Sequence, residues 1–290
     1  MFSRKSKIAL LSVALVAALA LSGCGQSGSA GQAGGTPSAG GKKTVNTAGS
    51  TALEPLVKIA ADEFMQKNNG VQVTVSGGGS FTGLNNVASG AIDIGNSDVF
   101  VTPELKGKGL VDHQVAVAPF LIIVNNDVPV DNLSQAQLQD IFTGKVTNWQ
   151  QVGGKNEKIS IIGRATSSGS RATISKVVLD GKDFTPSAAS QDSTGNLIES
   201  VAQTPGAIGY IDAAYLTKKV KALKYNGVAY SAATVENGQY PIYAFEHMYT
   251  KGEPTGNVKA FLDYMMSPDF QNRNVVKAGF LPIGAMKKKS

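Results

Sequence analysis

One local pattern occurs three times in this chain: a short apolar strand, a loop rich in Gly, Ser and Thr, and residues with the apolar spacing of a helix. The loops are residues 49–51 (GST), 76–83 (SGGGSFTG) and 164–170 (RATSSGS). Each loop leads a strand into the first turn of a helix, where unpaired N–H groups and the helix dipole favour negative charge. The pattern predicts an α/β fold that binds an anion at the carboxyl ends of its strands.

The composition of these loops indicates the kind of anion. Together with residues 94–98 (IGNSD), they contain mostly small uncharged donors and two charged residues, Asp98 and Arg164. A guanidinium donates two parallel hydrogen bonds to an oxyanion, which an ammonium does not. The chain has no nucleotide-binding glycine motif and no metal-ligand spacing of Cys, His or Asp, so we expect neither a cofactor nor a metal. We interpret the four segments as a cradle for a compact oxyanion.

Each segment also has a simpler interpretation. Arg164 would equally suit a surface ion pair, and Ser168 would suit a helix N-cap alone. Asp98 is placed to cap a turn near Thr102, and a glycine-rich stretch such as residues 76–83 is often only a turn. The recurrence of the segments at strand–helix junctions is what favours a common site.

Longer patterns outline the rest of the fold. The apolar run over residues 115–124 is predicted to cross between two lobes, and residues 91–94 are predicted to form a strand. Ser134 and Gln137 form a capping-box pattern at a helix start. Residues 220–249 are predicted to contain the return crossing and a hairpin-like excursion with turns at Asn226-Gly227 and Asn237-Gly238.

The N-terminus has the pattern of a bacterial export signal. Three basic residues precede an apolar stretch that ends in Leu21-Ser22-Gly23-Cys24, and Cys24 is the only cysteine. We predict a signal peptide over residues 1–23, a lipidated Cys24, and a flexible Gly/Ser/Ala linker over the rest of residues 24–42. An unmodified thiol behind an ordinary cleavage site is the alternative. The protein is therefore expected on the outer face of the cytoplasmic membrane, lipid-anchored, or in the periplasm.

The charge of the mature chain is too small and too scattered for a nucleic-acid surface. Removal of Arg4, Lys5 and Lys7 with the signal lowers the formal net charge from +6 to +3. The remaining lysines are dispersed except for the C-terminal run at residues 287–289, which is expected to be a solvated terminus. We therefore expect no nucleic-acid partner.

Six short motifs occur in an order that resembles one family. They are GSTALEPL (49–56), SGGGSFTG (76–83), SGAIDIGNSD (89–98), IFTGKVTNW (141–149), GR followed by SGSRA (163–172), and AIGYID (207–212). The chain from about Lys42 onwards resembles the phosphate-binding lipoproteins of bacterial high-affinity phosphate ABC transporters. That resemblance implies a two-lobed type II periplasmic-binding-protein fold, with lobes joined by two crossing strands and the ligand cleft between them.

The resemblance also implies boundaries, contacts and partners. Lobe 1 would be residues 43–118 plus 241–290, and lobe 2 residues 119–240. The partners would be inorganic phosphate and the transmembrane permease subunits of the transporter. The implied phosphate-binding residues are Ser50, Thr51, Ala52, Ser80, Asp98, Arg164, Ser168, Gly169 and Ser170.

Two positions depart from the family pattern. Phe81 replaces a glycine that commonly follows the loop serine, so the loop backbone would differ after Ser80 or the aromatic ring would cover the cleft. Ser170 replaces a threonine and keeps its hydroxyl.

Asp98 predicts the protonation state of the anion. A carboxylate only accepts hydrogen bonds, so it suits a phosphate that retains a proton and repels fully ionised sulfate. A receptor for sulfate or molybdate is therefore the second hypothesis. A phosphate-ester hydrolase is a third, disfavoured because His113 and His247 lie in no nucleophile motif, and an adhesive lipoprotein would not need such loops. We expect a binding protein, not an enzyme.

Overall fold

The computed structural model describes residues 43–286. The predicted signal peptide, Cys24, the linker up to residue 42 and the basic tail from residue 287 lie outside the described residues. Within residues 43–286, no helix is both long enough and apolar enough to cross a bilayer.

Strands and helices alternate along the described chain, which confirms the predicted α/β class. The strands are β1 Thr44–Gly49, β2 Gln72–Ser76, β3 Ile94–Ser97, β4 Leu110–Asn125, β5 Asn132–Leu133, β6 Ser160–Arg164, β7 Ala189–Gln191, β8 Ala207–Asp212, β9 Val220–Ala222, β10 Lys224–Tyr225 and β11 Tyr243–Lys251. The helices are α1 Glu54–Lys67, α2 Ser80–Ser89, α3 Gln135–Phe142, α4 Gly169–Val177, α5 Thr194–Gln203, α6 Ala232–Glu236, α7 Gly256–Met265 and α8 Pro268–Phe270.

One mixed sheet runs through residues 43–286 in the order β2-β1-β3-β11-β4-β8-β6-β7, with β9 also paired to β4. The outer pairs β1–β2, β1–β3, β6–β7 and β6–β8 are parallel, whereas β11 pairs antiparallel with both β3 and β4. The parallel pairs place the carboxyl ends of β1, β3 and of β6, β7 beside one another. The predicted anion loops leave the sheet at these ends.

β4 changes its pairing partner along its length. Its first part pairs with β11 up to Pro119, and from Phe120 onwards it pairs with β8. Residues 115–124 of this strand are all buried, as their uninterrupted apolar sequence predicts. The run therefore connects the two ends of the sheet, as expected of a crossing strand.

Local signals explain where the helices begin. Pro55 lies in the first turn of α1, where its missing N–H costs nothing. Ser134 Oγ accepts from the Gln137 N–H at 3.2 Å, and Gln137 Oε1 accepts from the Ser134 N–H at 2.9 Å, which confirms the capping box before α3.

The strand predicted over residues 91–94 is wrong in its bounds. The Ala91 N–H still donates to Asn86 O at the end of α2, and the strand begins only at Ile94. β3 has the sequence IGNS and lacks the apolar alternation that marks a strand. Its second residue is Gly95 because this position lies against α2 with no room for a side chain. A Cβ at Gly95 would lie 2.6 Å from Gly83 O.

The excursion after β9 is only partly hairpin-like. Tyr225 and Val228 exchange backbone hydrogen bonds of 2.9 Å across Asn226-Gly227, so the first predicted turn is confirmed. Asn237 instead follows α6, which a reciprocal pair between Ser231 and Thr234 begins. The predicted turn at Asn237-Gly238 is confirmed, with Gly238 at φ of 79°, but it ends a short helix and does not join two strands.

Candidate anion-binding site

The loop after β1 brings Thr51 into the interior and uses Ser50 to build the helix start. Ser50 Oγ accepts from the N–H groups of Ala52 and Leu53, both at 3.1 Å, and thereby caps the turn into α1. The predicted backbone donor of Ala52 is thus engaged within its own loop. Thr51 Oγ1 accepts from Arg164 Nη2 at 3.1 Å and is the residue of this loop that contacts the predicted arginine.

Ser80 is the first residue of α2 and is fully buried. Its Oγ accepts a 3.0 Å hydrogen bond from the backbone N–H of Asp98. Gly79, with φ of 92°, turns the chain into the helix in a conformation that suits glycine. Ser80 is therefore fixed against the residue that follows β3.

Phe81 does not cover the site. It lies in the first turn of α2 and packs against a small apolar cluster formed by Leu84, Val87 and Tyr249. Its backbone N–H donates to Ser167 O at 3.1 Å. The bulky residue is accommodated because its ring is partly buried against this apolar cluster.

Asp98 is buried, and its carboxyl group is only partly satisfied. Oδ2 accepts from Ser170 Oγ at 2.9 Å, while Oδ1 has no hydrogen-bond donor among residues 43–286. The neighbouring turn is capped by Ser97 Oγ, which accepts from the Val99 N–H at 3.1 Å. The alternative that Asp98 caps the turn near Thr102 is therefore wrong.

Arg164 ends β6 and is 3% exposed, so it is not a surface ion-pairing residue. Nε donates to Gln191 O, Nη1 to Thr194 Oγ1, and Nη2 to Thr51 Oγ1 and Asp192 O, at 3.0–3.2 Å. All these partners are neutral. Burial lowers the pKa of Arg164 from its ordinary value, and the nearby Asp98 charge opposes that change.

The start of α4 completes the site from the opposite side. Ser168 Oγ accepts from the Arg171 N–H at 3.2 Å, so it is the helix N-cap. Gly169 packs directly against Ser80 and Asp98, where a Cβ would lie 2.8 Å from Ser80 Cβ and 2.9 Å from Asp98 Cβ. Ser170 follows and donates to Asp98. The helix N-terminus therefore faces the side chains that the other loops supply.

The structure thus brings Thr51, Ser80, Asp98, Arg164 and the α4 start into one cluster, and leaves Ser50 and Ala52 engaged in their own turn. Thr194 also belongs to it and was missed in the sequence. Its Oγ1 accepts from Arg164 Nη1 at 3.0 Å and lies 3.1 Å from Thr51 Oγ1. The signal was present: residues 192–195 (DSTG) lead from β7 into the first turn of α5, in a further strand–loop–helix unit.

Two more acids lie close to this cluster. Asp212 at the end of β8 and Glu246 in β11 are fully buried, and none of their carboxylate oxygens has a donor among the described residues. Burial raises the pKa of each well above its ordinary value, and the Asp98 charge raises it further. Both environments therefore favour the protonated, neutral form of the carboxyl group.

The site offers hydrogen bonds and the charged side chains of Arg164 and Asp98 but no catalytic arrangement. His247 is bonded to Asp112 at 2.8 Å and His113 lies 3.1 Å from Thr250 Oγ1, so neither activates a serine of the cluster. Among residues 43–286, no group of His, Cys, Asp and Glu is arranged to hold a metal ion. The arrangement can bind an oxyanion without chemistry.

The loops of this cluster meet at the carboxyl ends of two groups of parallel strands, the edge at which open α/β sheets bind ligands. A family model described as a PBP superfamily domain matches residues 34–269. The phosphate-binding protein PstS of Bacillus subtilis is 42% identical over 290 residues, covering 98% of this chain and 96% of that protein. PstS of Borreliella burgdorferi is 29% identical, covering 83% and 91%. The chain belongs to the PstS family within the PBP superfamily.

Solved structures agree with this assignment. A Clostridium perfringens substrate-binding protein of the phosphate ABC transporter type, solved with bound phosphate, has a TM-score of 0.79 and 29% identity, and the match covers 83% of this chain and 99% of that one. An ABC-type phosphate transport receptor from Vibrio cholerae has a TM-score of 0.68 and 25% identity over 82% and 99%. These proteins are named as receptors and binding proteins, which confirms at the level of the family that the fold serves binding rather than catalysis.

Proposed function

We propose that this protein captures inorganic phosphate between Thr51, Ser80, Asp98, Arg164 and the start of α4, and delivers it to the transmembrane subunits of an ABC permease. Binding involves no covalent step. The names of its relatives support the ligand, and the permease is the partner that an ABC-transport receptor requires.

The observation that carries the proposal is that two charged side chains, Arg164 and Asp98, are buried in one site and neither has all of its hydrogen-bonding groups matched. The Arg164 guanidinium is bonded only to neutral groups, and Asp98 Oδ1 has no donor among the described residues. A buried charge without a counter-charge is costly. An oxyanion that carries a proton resolves both, because its oxygens accept from Arg164 and its O–H donates to Asp98.

The ligand would close between two lobes, residues 43–118 with 241–290 and residues 119–240. The boundary at residue 119 coincides with the change of β4 from β11 to β8. Closure can be measured by small-angle scattering with and without phosphate. An identical radius of gyration in both states would contradict it.

The ligand assignment is tested by calorimetry with phosphate, sulfate and molybdate. We expect the wild-type protein to bind phosphate and to reject the two unprotonated dianions. In Asp98→Asn the amide donates a hydrogen bond that sulfate accepts, so the phosphate-to-sulfate affinity ratio should fall at least about tenfold. Asp127→Asn is the matched control, since Asp127 accepts from the Gly206 N–H and contacts no residue of the site.

If the wild type prefers sulfate or molybdate, the ligand of this protein is another tetrahedral oxyanion and not phosphate. An unchanged ratio in Asp98→Asn would remove Asp98 from the selection of ligand. Turnover of a chromogenic phosphate ester would favour the hydrolase hypothesis instead.

We also propose that a lipid on Cys24 holds the protein at the outer face of the cytoplasmic membrane. The support is the sequence ahead of Cys24 and the lack of another cysteine. Cys24→Ser should move the protein from the membrane to the soluble fraction after export and abolish a lipid mass shift. Retention of the variant in the membrane fraction would contradict the anchor.

A further inference from the structure

Glu246 occupies an unusual place in the sheet, between the strand that carries Asp98 and the crossing strand. On one side it pairs with Ala116 of β4, and the register shifts between Glu246 and His247 because Val115 of β4 is an extra, bulged residue. On the other side His247 pairs with Ser97 of β3, so the same antiparallel register places Glu246 beside Asp98. Bulges re-aim side chains next to functional sites.

Apart from the bond from Ser170 to Asp98 Oδ2, the two facing carboxyl groups have no donor among the described residues. Both oxygens of Glu246 and Oδ1 of Asp98 are buried with no donor among residues 43–286. Two ionised carboxylates cannot hydrogen-bond to each other, so the hydrogen between them must be one that a carboxyl group retains. Burial, the charges of Asp98 and Asp212, and a hydrogen bond to Asp98 together raise the pKa of Glu246, so Glu246 is the one that retains it.

The charges around the pair support the same assignment. Asp98 and Asp212 are the titratable groups that act on Glu246. Its β4 partner is Ala116, and the residues that α4 buries are the uncharged Gly169, Ser170, Thr173 and Ile174. Arg164 is the buried cation that acts on Asp98 and Asp212. One positive charge balances one acid, and we assign that acid to Asp98 because burial favours the protonated forms of Glu246 and Asp212.

We infer that Glu246 is a positioning residue of the anion site: its protonated carboxyl group donates a hydrogen bond to Asp98 and holds Asp98 ionised, as an acceptor for a ligand that carries its own proton. The inference rests on the proposed phosphate function. Glu246 thereby determines specificity without touching the ligand.

The consequence lies in what Asp98 does when the donor is lost. In a dry site an unsupported carboxylate takes up a proton more readily, and a protonated Asp98 donates a hydrogen bond. Sulfate accepts such a bond. Loss of the Glu246 donor should therefore admit sulfate rather than merely weaken all binding.

The experiment compares Glu246→Gln with Glu246→Leu by calorimetry against phosphate and sulfate near neutral pH. The Gln amide still donates to Asp98, so it should preserve the phosphate-to-sulfate affinity ratio within about threefold, whereas Leu should lower the ratio at least about tenfold. Sulfate binding by the Leu variant should strengthen as the pH is lowered. The inference is overturned if Glu246→Leu has the same phosphate-to-sulfate affinity ratio as the wild type. It is also overturned if the ratio falls equally in Glu246→Gln and Glu246→Leu. Asp127→Asn is again the control for loss of an acid elsewhere.

A second measurement needs neither the Leu variant nor a ligand. Infrared spectra of the wild type at neutral pH should contain a protonated-carboxyl C=O band that is reduced in Glu246→Gln. An unchanged band means that Glu246 is ionised, which overturns the inference. If the wild type binds no phosphate, the proposed function fails, while the infrared comparison still decides the state of Glu246.

Discussion

Gly169 is the position where the two sides of the site approach most closely, and Gly169→Ala tests whether that approach is needed for binding. The residue is helical and has no positive φ, so alanine suits its backbone. The added Cβ would lie 2.8 Å from Ser80 Cβ and closer still to Ser80 Oγ. Alanine therefore fits only if α4 and α2 move apart.

The size of the effect follows from that displacement. Restoring ordinary contact at 3.4 Å needs a shift of at least about 0.6 Å, the value for Ser80 Cβ, since Ser80 Oγ is nearer. The 2.9 Å bond from Ser170 to Asp98 would lengthen to about 3.5 Å, and the 3.1 Å bond from Phe81 N–H to Ser167 O to about 3.7 Å, at or beyond the limit of a hydrogen bond. One charge-assisted and one neutral bond are together worth about 2 to 4 kcal/mol. Phosphate affinity should fall at least about thirtyfold.

Calorimetry at 25 °C measures the affinity, and thermal unfolding without phosphate separates closure from folding. The unfolding temperature of Gly169→Ala should change little, because without phosphate the two proposed lobes can separate, and this relieves the clash between the added Cβ and Ser80. Gly195→Ala is the matched control: it lies in the first turn of α5, and its Cβ would meet nothing closer than Ser193 Oγ at 3.9 Å. Phosphate affinity in Gly169→Ala within threefold of the wild type, as in Gly195→Ala, would refute the reasoning.

Two further variants probe the site and the stability of the fold. Thr194→Val keeps the shape but leaves Arg164 Nη1 without its 3.0 Å acceptor, so calorimetry should give a loss of phosphate affinity of about tenfold or more, and an unchanged affinity would contradict the role of Thr194. Hydrogen bonds from Arg273 and Tyr264 lower the pKa of Glu63 from 4.5 to about 2. Because the folded pKa lies below the unfolded one, this stabilisation is present above pH 4.5 and is lost as the pH falls towards 2. Glu63→Gln should lower the free energy of unfolding in urea by about 1 to 2 kcal/mol at neutral pH and flatten the acid limb, and an unchanged acid limb would contradict it.

Local sequence signals were sufficient for most of the cradle. The loops at residues 49–51, 76–83 and 164–170 were recognised because a strand with clear apolar residues precedes each of them. Thr194 was missed because its strand, Ala189–Gln191, has only three residues and none of the apolar alternation on which recognition depends. The predicted bounds of β3 were wrong for a related reason. Its close contact with α2 requires Gly95, so the strand has no apolar alternation.

Glu246 and Asp212 could not be placed by such signals, because their position depends on sheet register between distant segments. Glu246 reaches Asp98 through the pairing of β11 with β3, about half the chain away in sequence, and Asp212 through the pairing of β8 with β4. The local hint was an isolated acid in a strand with many apolar and aromatic residues. Hydrophobic patterning assigns such a residue to a strand but does not assign the partner it will face.

The balance of charges explains why the loops are rich in Gly, Ser and Thr rather than in lysine. Arg164 and Asp98 leave the buried site without net charge once Glu246 and Asp212 are neutral, so an anion is held by N–H and O–H dipoles in a dry environment, where hydrogen bonds are strong. Surplus positive charge would attract sulfate and phosphate alike. In a neutral cradle, the proton on the ligand becomes the feature that distinguishes them, because Asp98 accepts from a ligand O–H, which a protonated phosphate supplies and sulfate does not.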